Sequence, residues 1–298
     1  MDFLTNMDWV LPLRHDALTV VFNVFTWMGY TPFFLIAIPA IYWGWRKDVG
    51  HRLTLIVFAS AVLNALLKDY WQNPRPDVLY ALDGRVGGSY GMPSGHAQIG
   101  IVMWFWLAYE VRQQWEAKWA YWGAGFIALG IILSRLYLGV HDIEDVLMGS
   151  VLGGLSLVVF YAVLSPLGNR WRSLPWPVQF LGVLFAMVAT IYVWPKAGGA
   201  GEAASIGGFL LGWVLGALLE QNYLKFEPAR LVVVRLIGIV LGIVSVFLVF
   251  GGVRAVAEGF VPNDWIYLLS GGVVAFYISF GAPLLMVVTR LARRTESS

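Results

Sequence analysis

Long apolar runs, separated by short polar breaks, occupy most of the chain between residues 31 and 289. A helix crosses the hydrocarbon core of a bilayer with about 20 mostly apolar residues, so this pattern predicts about nine spans. The breaks are too short to hold a soluble domain, so the predicted fold class is all-α, a polytopic integral membrane helical bundle. The predicted spans are 31–45, 52–71, 97–111, 119–138, 146–164, 177–194, 206–223, 231–252 and 265–289.

The N-terminal segment predicts a different element. Residues 17–28 are also apolar, but the sequence GYTP at 29–32 interrupts the run before it joins the first span. Glycine and proline are the strongest local breaks in a helical pattern. We therefore predict that residues 8–28 form an interfacial helix rather than a further span.

The composition also indicates that this chain is embedded in a lipid bilayer. Hydrophobic residues make up 59% and charged residues 13%, whereas soluble domains have about 45–50% and about 25%. A net charge of +2 is too small to indicate a nucleic-acid partner. The absence of cysteine excludes disulfides, thiolate metal sites and a cysteine nucleophile.

The distribution of cations predicts the orientation in the membrane. Most of the 20 lysines and arginines lie in one set of alternate loops and in the C-terminal tail, and such loops are usually cytoplasmic. We therefore expect a multi-pass protein of the cell (inner) membrane with a cytoplasmic C-terminus. Lys68, Arg75, Arg85 and Arg135 fall on the opposite side, and cations held where topology disfavours them indicate function.

The sequence LKDYWQNPRPD ends the second predicted span and holds the first polar cluster. Arg75 follows Lys68 by seven residues, about two helical turns. Pro74 and Pro76 end the helix there. By itself, this pair is typical of cations that extend from a helix end towards water.

The second cluster, SYGMPSGHAQ, precedes the third span and holds one of only four histidines. Pro93 suits a first helical turn, and Ser94 is a favourable N-cap residue. Gly95 allows close approach of the backbone to another group. By itself, the cluster is a helix start with an incidental His96.

The third cluster, SRLYLGVHDIEDVLMG, joins the fourth and fifth spans. Arg135 ends one span, His141 lies at the mouth of the next, and Asp145 follows four residues later. Residues at i and i+4 share a helix face, so Asp145 is predicted beside the His141 imidazole, where it fixes the tautomer of the ring. By itself, this pair is a salt bridge at a helix mouth.

The three clusters are predicted on the same membrane face, where together they form a site for a multiply charged anion. Arginine binds phosphate through bidentate hydrogen bonds, and lysine binds it as a point charge. Backbone N–H groups at 94–96 add an oxyanion cradle at a helix N-terminus. Two histidines suit a two-step transfer, with one as nucleophile and the other as acid. No acidic cluster suits a hard metal, so we expect no metal and no cofactor.

At these residues the chain resembles the type-2 phosphatidic-acid phosphatase superfamily. The family pattern is Lys, six residues, Arg-Pro; then Pro-Ser-Gly-His; then Ser-Arg, five residues, His, three residues, Asp. The sequence matches every defining position in order and spacing, and the resemblance covers about residues 30–165. It divides the chain into a predicted phosphatase core, 1–165, and a four-helix transmembrane extension, 166–298.

The resemblance implies a role for each matching residue. His141 would be the nucleophile that forms a phosphohistidine, Asp145 would orient it, and His96 would be the general acid. The family needs no metal. The residues implied to hold the phosphoryl oxygens are Lys68, Arg75, Ser94, Gly95 and Arg135.

The substrate remains open between several classes. The sequence around YGMPSGHAQ is similar to dolichyl-diphosphate phosphatases, whereas the nine-span plan is similar to glucose-6-phosphatase. We expect a lipid phosphate or diphosphate, with a polyprenyl diphosphate first, cleaved at the extracytoplasmic face. The alternatives are a soluble phosphomonoester such as a hexose phosphate, an anion transporter or channel, and a silent scaffold, which the complete motifs disfavour.

Three smaller questions also stay open at the level of sequence. Arg85 is either a contact for a second phosphate or a loop cation. The Gly-rich loop 77–92 is a candidate lid over the site. The sequence is compatible with a homo-oligomer but does not predict one, and membrane lipids are the expected surroundings.

Overall fold

The computed structural model describes residues 4–86, 88–195, 201–257 and 263–295. These residues are mostly helical and contain very little strand, which confirms the predicted all-α class. Two three-residue strands, β1 (Phe226–Pro228) and β2 (Ala292–Arg294), pair antiparallel. The helices are α1 (Asp16–Trp27), α2 (Thr31–Gly44), α3 (Lys47–Trp71), α4 (Gly95–Trp115), α5 (Ala120–Tyr137), α6 (Ile143–Val159), α7 (Ser165–Arg172), α8 (Trp176–Val193), α9 (Gly201–Leu219), α10 (Val232–Ala257), α11 (Asn263–Phe276) and α12 (Ala282–Val288).

Six helical segments of the described chain are long and apolar enough to cross a membrane, and a seventh is added if α1 and α2 form one broken span. Helix α4 is not among them, because polar residues such as His96, Gln98 and Glu110 lower its hydropathy. The number nine therefore stays a prediction. The six segments are Lys47–Trp71, Ala120–Tyr137, Ile143–Val163, Trp176–Val193, Val232–Ala257 and Leu268–Val288.

The N-terminal region consists of two short helices rather than one continuous element. A 3₁₀ helix, Asp8–Leu13, precedes α1, and α1 begins after His15, whose ring accepts a hydrogen bond from the Ala17 amide. Between α1 and α2 the chain bends by 54°, at the break that the sequence predicts. The interfacial position of residues 8–28 stays a prediction.

The chain forms two compact units. One comprises residues 1–34 and 56–166, and the other comprises residues 35–55 and 167–298. The segment 35–55, which the sequence predicts as part of the core, thus belongs to the second unit. The reason is visible in α2, where Trp43 Nε1 donates to the Ile278 carbonyl at 3.0 Å. Just beyond α2, Lys47 forms an ion pair with the buried Glu220 at 2.9 Å.

In the first unit, α4 packs against α5 and α6, while α1 packs against α5. Gly149 and Gly153 let α6 approach α4 closely. A Cβ atom at Gly149 would overlap the Ser94 carbonyl oxygen, and one at Gly153 would lie 2.7 Å from the Gln98 carbonyl oxygen. The two glycines thus have a packing role, and this contact brings the N-terminal end of α6 to the start of α4.

Candidate active site

Lys68 and Arg75 are held by the loop that precedes α4. Lys68 lies in the last turn of α3, where its Nζ donates to the carbonyls of Tyr90 and Gly91. Arg75 Nε donates to the Ser89 carbonyl at 2.7 Å, and its Nη2 donates to Ser89 Oγ at 2.9 Å. Helix α3 ends at Trp71, before the two prolines that the sequence predicts as its end, and Gln72 follows with a positive φ of 50°. Both cations contact the same loop.

The ring of His141 is fixed between Arg75 and Asp145. Nδ1 lies 2.8 Å from Asp145 Oδ2, and Nε2 lies 3.2 Å from Arg75 Nη1. A guanidinium group only donates hydrogen bonds, so Nε2 must be the acceptor and Nδ1 must carry the proton. His141 therefore has the tautomer that leaves a lone pair on Nε2, the atom that points away from the carboxylate.

The structure confirms the predicted pairing of Asp145 with His141 but gives it a different geometry. Helix α6 begins at Ile143, after His141, so the two side chains meet across the helix start and not along a helix face. Asp142 is the N-cap residue and forms a capping box with Asp145. The carboxylate of Asp145 thus serves the cap and the imidazole together, which fixes its position.

The start of α4 corrects part of the predicted oxyanion cradle. The Ser94 amide donates to the Asp145 carbonyl at 2.9 Å, so it is not available to a phosphoryl group. The Ser94 hydroxyl makes no capping hydrogen bond, although the residue occupies the N-cap position. A Cβ at Gly95 would lie 3.1 Å from Asn64 Oδ1, so this glycine accommodates a packed amide. The contribution expected from Ser94 is therefore its hydroxyl.

His96 packs against a residue that the sequence identifies only as part of a helix break. The rings of Tyr30 and His96 meet edge to face, with centroids 4.7 Å apart and planes at 83°. A Cβ on Gly29 would overlap the His96 ring. The turn between α1 and α2 therefore orients the second histidine of the site.

Arg135 is 1% exposed and makes hydrogen bonds through one nitrogen. Its Nη1 donates to Thr26 Oγ1, to Asp83 Oδ2 at 3.2 Å and to the Tyr30 hydroxyl at 3.4 Å. Sequence reasoning missed Thr26, Tyr30 and Asp83. Asp83 lies two residues before Arg85 in the predicted lid loop, and an acid this close to an outward cation was the available signal.

Four buried polar atoms of the motif residues have no hydrogen-bond partner within the described part of the chain, namely Ser94 Oγ, His96 Nε2, Arg135 Nε and Asp145 Oδ1. Buried polar groups in proteins are almost always hydrogen-bonded. The first three of these atoms can belong to donors, and they fit a polar ligand with several acceptor oxygens, whereas Asp145 Oδ1 belongs to a carboxylate and accepts. Among the same residues, no group of three or more His, Asp or Glu side chains is placed to hold a metal ion.

The pKa of His141 lies well below its usual value of 6.5, because the ring is buried and because the charges of Arg75, Lys68 and Arg135 disfavour its cationic form. The attacking imidazole must be neutral, so a lowered pKa keeps it competent in mildly acidic solution.

We expect the acidic limb of kcat/KM to lie below about pH 6.5. The test is to measure kcat/KM against pH for two substrates whose phosphate groups have different pKa values. An acidic limb at the same pH for both substrates belongs to the enzyme. A shared limb above that value would contradict the assignment.

Comparisons with known proteins identify the family of this chain. Residues 50–168 match the family model described as the PAP2 superfamily. Residues 204–294 match the model described as the PAP2 superfamily phosphatase, transmembrane extension. The chain is 32% identical to phosphatidylglycerophosphatase B of Bacillus subtilis (strain 168), over 51% of this chain and 76% of that protein. The chain therefore belongs to the PAP2 superfamily, and it is a multi-pass membrane protein.

Two further similarities are more partial. The chain is 27% identical to sphingosine-1-phosphate phosphatase 1 of Rattus norvegicus, over 68% of this chain and 49% of that protein. The match spans about half the length of sphingosine-1-phosphate phosphatase 1 from rat and from mouse. The crystal structure of the first transmembrane PAP2 type phosphatidylglycerolphosphate phosphatase from Bacillus subtilis matches with a TM-score of 0.48 and 27% identity, over 54% of this chain and 83% of that one.

Proposed function

We propose that this protein is a membrane phosphatase that hydrolyses a lipid phosphate or diphosphate through a phosphohistidine on His141. The observation that carries the proposal is the arrangement of Asp145, His141 and Arg75. It puts the proton on Nδ1, so that the lone pair of Nε2 accepts from Arg75 at 3.2 Å, and this lone pair becomes available to phosphorus when the guanidinium group turns to a phosphoryl oxygen. A nucleophile and a phosphate-binding cation therefore meet at one point, as phosphoryl transfer requires.

In the first step, Nε2 of His141 forms a bond to phosphorus while the bond from phosphorus to the leaving oxygen breaks. The electron pair of the broken bond stays on that oxygen, which takes a proton from His96. Asp145 accepts a hydrogen bond from Nδ1 and stabilises the positive charge that develops on the ring. Lys68, Arg75, Arg135 and the Ser94 hydroxyl hold the phosphoryl oxygens, with the first turn of α4 at Gly95 close by.

In the second step, a water molecule attacks phosphorus and the bond from phosphorus to Nε2 breaks. His96, now neutral, takes the proton that the water loses. Inorganic phosphate leaves, and His141 returns to the neutral tautomer that donates from Nδ1 to Asp145. No step of this scheme requires a metal ion, so metal-independent turnover is part of the proposal.

The positions of the cations support a lipid as the substrate. Lys68 and Arg135 lie in the last turns of α3 and α5, two helices that qualify as membrane spans. A headgroup at the membrane boundary reaches these side chains while its acyl or prenyl chain stays in the bilayer. Both named relatives act on lipid phosphates by their names, which favours the same class. A polyprenyl diphosphate, suggested by the resemblance around residues 90–98, and an extracytoplasmic site remain parts of the proposal.

The test is hydrolysis by the purified protein in detergent, with EDTA present. We expect phosphate release from at least one member of a panel comprising polyprenyl diphosphate, phosphatidate, phosphatidylglycerol phosphate, sphingosine 1-phosphate and glucose 6-phosphate. We also expect inhibition by orthovanadate, which mimics the pentacoordinate phosphorus. Cleavage of glucose 6-phosphate alone would favour the soluble-substrate alternative. Phosphate transport in proteoliposomes without any hydrolysis would favour a transporter and contradict the proposal.

A further inference from the structure

Beside the site, a buried carboxylate that lies outside the three motifs joins the motif residue Arg135 to two other side chains. Asp83 is 3% exposed, and its carboxylate receives hydrogen bonds from Arg135, from Arg85 and from the Tyr30 hydroxyl. The four residues come from the turn before α2, the loop before α4 and the end of α5. Their contacts all converge on one carboxylate next to the proposed phosphate site.

The hydrogen bonds of Arg135 divide its guanidinium group into two edges. Asp83 Oδ2, the Tyr30 hydroxyl and Thr26 Oγ1 all contact Nη1. Nε, on the opposite edge, is buried and has no hydrogen-bond partner within the described part of the chain. A guanidinium group binds a phosphoryl group best through one complete edge, with two parallel hydrogen bonds. The contacts on Nη1 therefore set which edge remains for the ligand.

The carboxylate does not cancel the charge that the site needs. Arg85 Nε lies 2.8 Å from Asp83 Oδ1, while Arg135 Nη1 lies 3.2 Å from Asp83 Oδ2. Burial raises the pKa of Asp83, but hydrogen bonds from Arg85 and Tyr30 outweigh it and lower the pKa to about 2. Two arginines thus share one ionised carboxylate. A net positive charge remains, and orientation is the main effect of Asp83 on Arg135.

The loop that carries Asp83 is anchored on both sides of it. The Leu82 amide donates to the Leu138 carbonyl at 2.8 Å. Val86 packs against a core cluster that includes Tyr137 and Val140. Arg85 reaches Asn23 Oδ1 at 3.2 Å, and its guanidinium carbon lies 4.5 Å from the centre of the Tyr30 ring. These contacts give Arg85 a supporting role in the loop and favour that role over a contact with a second phosphate.

We propose that Asp83 and Tyr30 are positioning residues that hold Nη1 of Arg135 and thereby direct its Nε edge towards the phosphoryl group. This role rests on the proposed function. Tyr30 also packs edge-on against His96, so one side chain supports both a phosphate-binding residue and the proposed acid. Positioning errors of about 1 Å in such groups lower rates by about a hundredfold.

The test compares Asp83→Asn and Tyr30→Phe with wild type, using orthovanadate binding by calorimetry and kcat/KM for the best substrate of the panel. The Asp83→Asn variant loses the charge that holds Nη1, and we expect about a 10- to 100-fold loss in both quantities. The Tyr30→Phe variant keeps the ring against His96 and loses only the hydroxyl, so we expect about a 3- to 10-fold loss. Wild-type values in both variants would overturn the proposal.

The matched control is Asp77→Asn in the same loop. Asp77 accepts a hydrogen bond from the Leu79 amide at 2.9 Å and makes none of the contacts to Arg135. This variant removes the same charge from the loop and should keep wild-type vanadate binding. An equal loss of binding in Asp77→Asn and Asp83→Asn would show a general effect of loop charge and would overturn the proposal.

A double-mutant cycle separates positioning from a purely structural role. If Asp83 acts through Arg135, Asp83→Asn should weaken vanadate binding no further once Arg135→Gln is present. Additive losses would contradict the proposal. If Asp83→Asn does not fold, the same cycle with Tyr30→Phe decides the question. Failure of the wild-type protein to bind vanadate or hydrolyse any substrate would instead reject the proposed function.

Discussion

Replacement of His141 by alanine is expected to lower kcat for the best lipid substrate by at least about 10⁴-fold. The variant has no nucleophile for the first step, and water would have to attack a phosphoryl group directly within a site built for in-line transfer from Nε2. Arg75 and Asp145 lose the ring that lies between them, but Arg75 keeps its contacts with Ser89 and Val140. Phosphate release in single-turnover experiments measures the loss.

The control for this variant is His15→Asn. His15 lies at the start of α1, where its ring nitrogen accepts from the Ala17 amide. Asparagine is an equally good N-cap residue, so we expect a wild-type rate. Near-normal turnover of His141→Ala would show that another group attacks phosphorus, and the mechanism given above would be wrong.

Replacement of His96 by asparagine is expected to lower the rate on alkyl phosphates by about 10²–10⁴-fold, the usual contribution of a general acid. The leaving oxygen of a lipid alcohol is strongly basic and needs a proton as its bond to phosphorus breaks. Asparagine occupies similar space beside Gly29 and Tyr30 but cannot supply that proton. Steady-state kinetics on a lipid monophosphate measures the loss.

The leaving group distinguishes the acid role of His96 from loss of structure. An aryl phosphate such as p-nitrophenyl phosphate has a leaving oxygen that departs without protonation. We therefore expect the first step to recover most of its rate in His96→Asn with this substrate, seen as a burst of p-nitrophenol. Equal losses with alkyl and aryl substrates would indicate a disturbed site and would contradict the acid role.

The residues of the three motifs were predictable from sequence because each motif is local. Lys68 lies in the last turn of α3 and Arg75 follows in the next loop, while His141 and Asp145 are only four residues apart, so the two members of each pair are close in sequence. The tautomer of His141 was predictable only in part. The carboxylate partner follows from the spacing, whereas the contact from Arg75 joins residues 66 positions apart.

The residues that support the site were missed because their contacts span long stretches of sequence. Tyr30 and Asp83 are 53 residues apart, and Arg135 is 52 residues beyond Asp83. No periodicity links such positions. The break at 29–32 looked like a helix boundary, and its second role, against His96, depends on how the turn packs. Similarly, the sequence predicts that the Ser94 amide binds the phosphoryl group. Its actual acceptor is the carbonyl of Asp145, which is distant in sequence.

The positions of most apolar helices were predictable from the sequence, but the way in which they pack together was not. Apolar runs predicted helices at the positions of α3, α5, α6, α8 and α10. Helix α4 combines apolar residues with buried polar ones, since Gln98 forms hydrogen bonds with Asn64 and Ser60. Hydropathy alone underrates such a helix. Nor does it show that residues 35–55 pack with the C-terminal unit, which depends on contacts such as that of Trp43 with Ile278.

The most direct test of the central claim is to trap the covalent intermediate. Wild-type protein is mixed with substrate labelled in the transferred phosphoryl group, quenched in alkali and digested, and the labelled peptide is located by mass spectrometry. A phosphorus–nitrogen bond survives alkali and breaks in acid. We predict an acid-labile label on His141 in the wild type and in His96→Asn, and no label in His141→Ala. Label on another residue, or label that persists in His141→Ala, would contradict the account.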